Sequence, residues 1–332
     1  MGNMVWQCLE KSSLSYPNFK MYDTTKPYKK QILELISQTW ETSYVSVKEG
    51  IVKKKFSYPE TSSTDGIGTK GIYHWQQKSF KKAVIDALAM NLNDLVLMRA
   101  RAYGLHDHIM IPEDNHKAII EIVESLSEEC QKRNIGILSG ETAIHNDLSG
   151  LEISVNIDGF IKKPKLNLFL PGGVLIGIKS NGLHSNGFTK VREAFGNEFR
   201  KEFIEPTLIY SDILLNINEK YDIRGMMHIT GGAYTKLKDF LSKENISIHN
   251  NHKLKPHNIF YEIYDKGIPD KRMYKTFNCG VGFVLSVTEK DAKSIISEIE
   301  DSGFLADEIG RVVKGDGKVS VESMFSDEKI IF

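Results

Sequence analysis

At 332 residues the chain is too long for one ordinary core and suits two domains of roughly 100–200 residues each. It is 41% hydrophobic and 26% charged, as a globular protein is, and 43 Lys+Arg against 43 Asp+Glu leave no net field to draw in nucleic acid or a membrane surface. Cys8, Cys130 and Cys279 stand without metal-ligand spacing, their odd number argues against a disulfide framework, and no apolar run approaches the roughly 18 residues of a membrane span.

The opening Met1-Gly2-Asn3-Met4-Val5-Trp6 lacks the basic-then-apolar order of a signal peptide and the sixth-position hydroxyl of a myristoylation site, so a cytoplasmic location is expected. Residues 1 to about 60 read as polar and irregular, apart from a helix over Tyr28–Thr39 and a solvated basic run, Lys53-Lys54-Lys55. From Phe80 the spacing is helical: Ala83, Val84, Ala87, Leu88 and Leu92 make one stripe, with Asp86 and Asn93 sharing another face. A second helix is expected over Asn115–Arg133, then a short buried strand at Gly136-Ile137-Leu138 and a period-two strand at Leu151–Ile157. Lys162-Lys163-Pro164-Lys165 and Pro171-Gly172-Gly173 bracket the expected domain boundary, giving units 1–165 and 166–332. Beyond it come strands at Val174–Ile178 and Gly282–Val287 and helices from Asn186 to Phe195 and from Thr288 to near Gly303, the last with Asp291 in an acidic capping box. Asp316-Gly317 reads as a hairpin turn between Val312-Val313 and Val319–Val321. Strands alternating with helices in both halves predict two α/β or α+β domains.

Five glycine clusters each carry a charged or imidazole side chain: Asp65-Gly66-Ile67-Gly68-Thr69-Lys70, Ser139-Gly140-Glu141-Thr142, Asn181–Gly187, His228-Ile229-Thr230-Gly231-Gly232 and Asn278–Gly282. Glycine lets a backbone approach a ligand and turn its N–H groups toward an anion, and the neighbouring side chain supplies metal binding, charge neutralisation or proton transfer. Repeated over both halves, the pattern points to an enzyme holding a phosphorylated nucleotide and a second phosphorylated ligand. Asp65, Asp94 and Glu141 are the candidates for Mg²⁺, which bridges nucleotide phosphates with one or two carboxylates. His184 and His228 are the candidates for proton transfer near neutral pH. Cys279 reads as buried rather than nucleophilic. His106-Asp107-His108 would put two imidazoles on one face of an extended segment, but no further zinc ligand stands at suggestive spacing unless His74, His116 or His145 converge.

As a set, these motifs resemble the AIR synthetase (phosphoribosylformylglycinamidine cyclo-ligase) family. The likeness runs from about Thr64 to the C-terminus and is tightest in Asp65–Lys70, Asn93–Leu95, Gly140–Ala143, Gly182–Phe188, Pro206–Tyr210, His228–Gly232 and Met273–Gly282. It implies an N-terminal α/β domain whose sheet pairs with its twin across a homodimer to close a barrel, and a C-terminal α/β domain beside it. It implies ATP and Mg²⁺ on Asp65, Gly66, Gly68, Thr69, Lys70, Asn93, Gly140, Glu141 and Thr142. The phosphorylated substrate would lie on Ser185, Asn186, Gly187, Thr230, Gly231 and Gly232, with catalysis by His184, His228, Asp94 and Lys70. The implied reaction is ATP-dependent cyclisation of formylglycinamidine ribonucleotide; the alternative is a paralogue that phosphorylates or activates another small molecule. The sequence departs from the family at Met98-Arg99-Ala100-Arg101-Ala102, where Gln-Gly-Ala-Glu-Pro is usual, at Ile144-His145-Asn146, where Glu-Met-Pro is usual, and in lacking a glycine-rich loop before Asp65.

Overall fold

The computed structural model describes residues 28–332, so the expectations for Cys8 and for Met1–Trp6 lie outside the described residues. Helix α1 (Lys29–Ser37) turns Ile32 and Ile36 inward. Strands β1 (Val45–Lys48) and β2 (Ile51–Lys54) then pair antiparallel, in a segment whose sequence reads as irregular. Their turn places Glu49 at φ +51° and Gly50 at φ +76°, two successive left-handed residues as the commonest tight hairpin requires. Val45 and Val47 bury against Tyr103, Leu138 and Phe160, so packing rather than local propensity makes these strands.

The first sheet is built from β3 (Glu60–Gly66), β4 (Arg101–Ile111), β5 (Gly136–Ile144) and β6 (Glu152–Phe160), in the order β3-β6-β4-β5. Between β3 and β4 come helices α2 (Lys70–Gln76) and α3 (Phe80–Leu97); α4 (His116–Lys132) is the crossover that makes β4 and β5 parallel. Asn115 caps α4, its side chain accepting from the Ala118 N–H. Ile153, Val155 and Ile157 of β6 pack with α3 and α4 residues on one side of this sheet. The opposite face carries Thr64, Asn156, His106 and Ser139 in one cross-strand row.

The second sheet has seven strands: β7 (Val174–Lys179), β8 (Gly225–His228), β9 (Glu244–Ile248), β10 (Val281–Val287), β11 (Ala306–Lys314), β12 (Val319–Glu322) and β13 (Lys329–Ile331). Their order is β13-β12-β9-β11-β7-β10-β8. Helices α5 (Phe188–Phe195), α7 (Asn258–Asp265) and α8 (Asp270–Thr276) share one core with it. Helices α6 (Ser211–Lys220) and α9 (Glu289–Asp301) share the core on the other side. β10 is buried along its whole length, as a strand sandwiched between helical layers should be.

Two local expectations are corrected. Asp316-Gly317 does not join a hairpin: β9 lies between β11 and β12, pairing antiparallel with one and parallel with the other. The turn instead wraps the Asn245 side chain, whose Oδ1 accepts from the Asp316 and Lys318 N–H groups at 2.9 and 2.8 Å. At α9, the Thr288 hydroxyl donates to Asp291 Oδ2 at 2.6 Å instead of accepting from a backbone N–H.

Helix α3 joins the two units. Ala83, Val84, Ala87, Leu88, Leu92 and Leu95 face the first core, whereas Val96 enters the second. A helix buried on nearly every side should be apolar all round. α3 nonetheless keeps Asp86, Asn91 and Asn93 fully buried, and those exceptions mark the site.

Candidate active site

Among the described residues Asp86 is the most heavily bonded carboxylate. Its Oδ1 accepts from Lys70 Nζ at 3.0 Å, Ser185 Oγ at 3.1 Å, and both the N–H and Oγ of Thr207 at 2.8 Å. Oδ2 lies 2.8 Å from Lys70 Nζ and 3.0 Å from His74 Nε2. Although burial alone would raise its pKa, the Lys70 charge and these hydrogen bonds hold the Asp86 carboxyl far below the usual range. Asp86 thus fastens the Lys70 turn to the 185 and 207 loops of the second unit. We predict that Asp86→Asn destabilises the fold by about 3–5 kcal/mol, because Lys70 is left as a buried charge without its counter-ion. Adding Lys70→Met should recover part of that loss in denaturant titrations. The sign with pH follows: the stability due to Asp86 is present above the ordinary carboxylate value of about 3.9 and drains as pH falls below it toward the depressed folded value.

Two turns further along α3, Asn93 and Asp94 meet His228 at the end of β8. Asn93 Oδ1 accepts from the Tyr210 N–H at 2.8 Å, and its Nδ2 donates to the Leu208 carbonyl at 2.8 Å and lies 3.4 Å from His228 Nε2. With Asn93 donating to Nε2, the Nδ1 proton of His228 goes to Asp94 Oδ1, 3.2 Å away. Asp94 remains 38% exposed, so its second oxygen is open to a ligand. Asp65, at the end of β3, feels the charges of Asp94, Lys236 and His228. Burial pushes its carboxyl up and Asp94 adds to the push, while the Gly66 N–H at 2.7 Å opposes it. Asn91 fixes that strand end, donating to the Asp65 carbonyl at 3.2 Å and accepting from Ser63 Oγ at 3.0 Å.

The His184 ring centroid is 5.3 Å from that of His228. Neither His184 ring nitrogen makes a hydrogen bond of good geometry among the described residues, although the Ile229 backbone is near enough to oppose the fall in its pKa. Burial first, and His228 second, hold the His184 imidazole well below its ordinary pKa, so it is neutral at pH 7. Uncompensated buried nitrogens are costly, and such exceptions concentrate where ligands bind.

The glycine clusters of the second unit converge here. Thr230 Oγ1 donates to Asn186 Oδ1 at 2.5 Å, and a Cβ on Gly231 would stand 2.7 Å from Asn186 Nδ2. Gly187, at φ +86°, precedes α5, where a Cβ would stand 2.6 Å from the Phe277 ring. Asn278 ties the fifth cluster in, donating to the Gly182 carbonyl at 2.8 Å and accepting from Ser180 Oγ at 2.8 Å. Cys279 is buried, and burial raises its thiol pKa well above the ordinary value.

The structure therefore brings together Asp65, Asn93, Asp94, His184, Ser185, Asn186, Thr230 and Gly231 around His228 and α3, with Gly66, Gly68 and Thr69 continuing the chain from Asp65. Four predicted residues are placed otherwise. Glu141 pairs in register with His108, and through Ser154 with Gly66, so it lies on the opposite face of the sheet from Asp65. Three strand spacings, roughly 14 Å, also separate them. Gly140 and Thr142 sit on the same distant strand; a Cβ on Gly140 would stand 2.2 Å from the Asp107 carboxylate. Lys70 is fully buried, and its ammonium is committed to Asp86 and to the Glu205 carbonyl at 2.5 Å, so it is not displayed to a ligand. Lys236, unremarked in the sequence, is the exposed cation there; it packs against Gly232 and its charge reaches Asp65. The only sequence signal for it is its position four residues after Gly232.

Zinc does not assemble. His106 binds Ser139 at 2.7 Å and Asp158 at 3.3 Å, His116 binds Gln31, and His74 is at Asp86. Among the described residues no three His, Cys, Asp or Glu side chains form a metal-binding group. Beside His106, Asp107 is half-buried on the helix-covered face, and loss of solvation there raises its carboxyl pKa to about 7.

Two family models match, one described as "AIR synthase related protein, N-terminal domain" over residues 53–161 and the other as its C-terminal domain over 171–322. The chain is 31% identical over 300 residues to a phosphoribosylformylglycinamidine cyclo-ligase of Saccharolobus solfataricus, covering 87% of this chain and 90% of that one. It is 33% identical over 278 residues to a cyclo-ligase of Clostridium botulinum, covering 78% and 83%. Among solved structures it resembles the hydrogenase maturation protein HypE in complex with ATP, with a TM-score of 0.67 at 13% identity over 95% of this chain and 97% of that one.

Proposed function

This chain belongs to the AIR synthase related family, and from that premise we propose that it is a phosphoribosylformylglycinamidine cyclo-ligase of purine biosynthesis. It converts ATP and formylglycinamidine ribonucleotide to aminoimidazole ribonucleotide, ADP and phosphate. The observation that carries the reading is the contact between His228 and Asp94, with Asp65 and the buried His184 beside it. It supports the reading because carboxylates suit a nucleotide's metal ion and imidazoles suit an amide. Relatives bearing the cyclo-ligase name over most of the chain support the same reaction.

An amide oxygen is a poor leaving group. Moving the γ-phosphoryl group of ATP onto the formamide oxygen converts it to an imidate phosphate. The amidine nitrogen then attacks the formyl carbon, the five-membered ring closes, and phosphate departs with the former amide oxygen. Catalysis is mainly positioning and charge neutralisation. Asp65 and Asp94 fit a Mg²⁺ ion, which needs only one or two carboxylates and which, when bound, neutralises nucleotide phosphate charge. Gly66, Gly68 and Thr69 offer backbone and hydroxyl groups to the phosphates, and Lys236 supplies the cation. Lys70 and Asp86 brace these loops. His228 and His184 polarise the amide or carry its proton, while Ser185, Asn186, Gly187, Thr230, Gly231 and Gly232 face the substrate. In this scheme residues 1–165 hold ATP and 166–332 hold the substrate. Purified protein supplied with formylglycinamidine ribonucleotide, ATP and Mg²⁺ should yield aminoimidazole ribonucleotide and ADP in equal amounts. ADP release without ring closure would remove the cyclo-ligase reading.

The protein is further proposed to be a cytoplasmic homodimer; no helix of the described residues is long and apolar enough to cross a membrane. The first sheet has helices over one face, and its edge strands β3 and β5 have no further strand beside them among the described residues. A C₂ assembly would use this surface twice. Light scattering should give twice the chain mass, about 75 kDa from a 37.6 kDa chain. A monomer at micromolar concentration would contradict it.

A further inference from the structure

The departure at Met98–Ala102 has a structural consequence away from the candidate active site. Arg99 follows α3 in the left-handed region, at φ +56°, a conformation that usually selects glycine at a helix end. Arg99 is 5% exposed and its guanidinium donates to the carbonyls of Leu97, Lys165, Ile223 and Arg224 at 3.1–3.3 Å, while Nε has no acceptor among the described residues. Arg99 lines one wall of an open cavity of about 390 Å³ at the junction of the two units. That volume falls in the range of small-molecule sites.

Three more cations line the same cavity, Arg101, Lys162 and Lys163. Against them stands one carboxylate, Glu219, whose contact with Arg101 is a loose 3.5 Å. Lys162 and Lys163 are exposed and make no ion pair or hydrogen bond within the described residues. Leu215 supplies an apolar patch on the wall, with the buried Phe160 ring behind it. Four cations against one anion, in a chain whose overall formal charge is zero, is a local excess, and cations lining a concave site concentrate anions there. Phosphate is the group that Arg and Lys recognise best, and the apolar patch accommodates an uncharged ring.

We propose that this cavity is a second ligand site, separate from the His228 cluster, for a phosphorylated small molecule with an aromatic moiety, of nucleoside monophosphate type. The phosphate sits on Arg101, Lys162 and Lys163, and the ring lies toward Leu215. Arg99 gives the site a route to the chemistry. It clamps the Ile223 and Arg224 carbonyls just before β8, which ends at His228, and it follows directly on α3, which carries Asp94.

The test is calorimetric titration of AMP into the full chain carrying Asp65→Asn and Asp94→Asn, which removes the proposed Mg²⁺ carboxylates of the first site. The same titration is repeated with Arg101→Ala, Lys162→Ala and Lys163→Ala added. One AMP per chain is expected in the first protein. In the second, binding should weaken by about tenfold or more, as removal of a charge-assisted hydrogen bond to phosphate does, with unchanged circular dichroism. Inorganic phosphate should compete, but more weakly than AMP. Absence of AMP binding at millimolar concentration, equal binding by both proteins, or phosphate binding as tightly as AMP would each overturn the proposal. None of these outcomes depends on whether ring closure is catalysed.

Discussion

Asp65→Asn and Asp94→Asn should each lower ATP turnover by about 10²–10³-fold, the range for removing one preorganised electrostatic group, without weakening the fold. The two carboxylates sit close enough for Asp94 to raise the Asp65 pKa, on top of a larger push from burial. An acid whose folded pKa is raised opposes folding at neutral pH, because the folded state holds the charge at a penalty that the unfolded chain escapes. A neutral amide removes that penalty. The variants should therefore melt no lower than the wild type while losing activity, and the Mg²⁺ concentration for half-maximal turnover should rise. Retention of such mutually repelling charges is what a cation-binding role explains. Wild-type-like turnover in both variants would remove them from the proposed Mg²⁺–ATP site. A fall in melting temperature parallel to the fall in activity would reduce them to structural residues.

The parts of this arrangement legible in the sequence are those governed by local periodicity and chain punctuation. The α3 stripe and the period-two alternation of β6 follow from burial on one side, and the structure places them at Phe80–Leu97 and Glu152–Phe160. Asp86 and Asn93 share a face in the sequence pattern, but nothing local says that five donors gather on Asp86. Those donors come from residues 70, 74, 185 and 207, joined only by tertiary packing. Glu141 illustrates the reverse failure. A glycine-flanked carboxylate after a buried run resembles a ligand group at a strand end, yet β5 continues through it to Ile144, and strand parity turns it away from Asp65. Lys70 misleads for a related reason. Its motif resembles a phosphate loop, and only the structure reveals that a buried carboxylate sixteen residues later takes the ammonium. β4 escapes a reading by hydrophobic runs because its polar alternation, His106 and His108 on one face and Asp107 on the other, belongs to a sheet with a wet side.

His184 and His228 should separate when each is replaced, and the separation tests how the site divides its work. From sequence, both belong to the substrate side, and loss of either should lower turnover more than ATP binding. For His184 that expectation remains our proposal. Its two ring nitrogens make no hydrogen bond of good geometry among the described residues, and its neutral imidazole lies 5.3 Å from the His228 ring. His184→Ala should lower turnover by about 10²–10⁴-fold, as loss of an acid–base or polarising group does, with ATP affinity little changed. His184→Leu should be equally inactive yet at least as stable as the wild type, since filling the space with apolar atoms removes two poorly satisfied buried nitrogens. That variant should also be less acid-sensitive. The folded pKa of His184 is depressed, so its contribution to stability is present above the ordinary histidine value of about 6.5 and is lost as pH falls below it. His228 is different, because its Nδ1–H holds Asp94 at 3.2 Å. His228→Ala frees that carboxylate and should weaken Mg²⁺–ATP binding as well as turnover. Asn93→Ala, which removes the amide at Nε2, should give a milder form of the same double defect. If His184→Ala instead changed only the affinity for ATP, the imidazole would belong to the nucleotide side and the proposed division between residues 1–165 and 166–332 would have to be reversed.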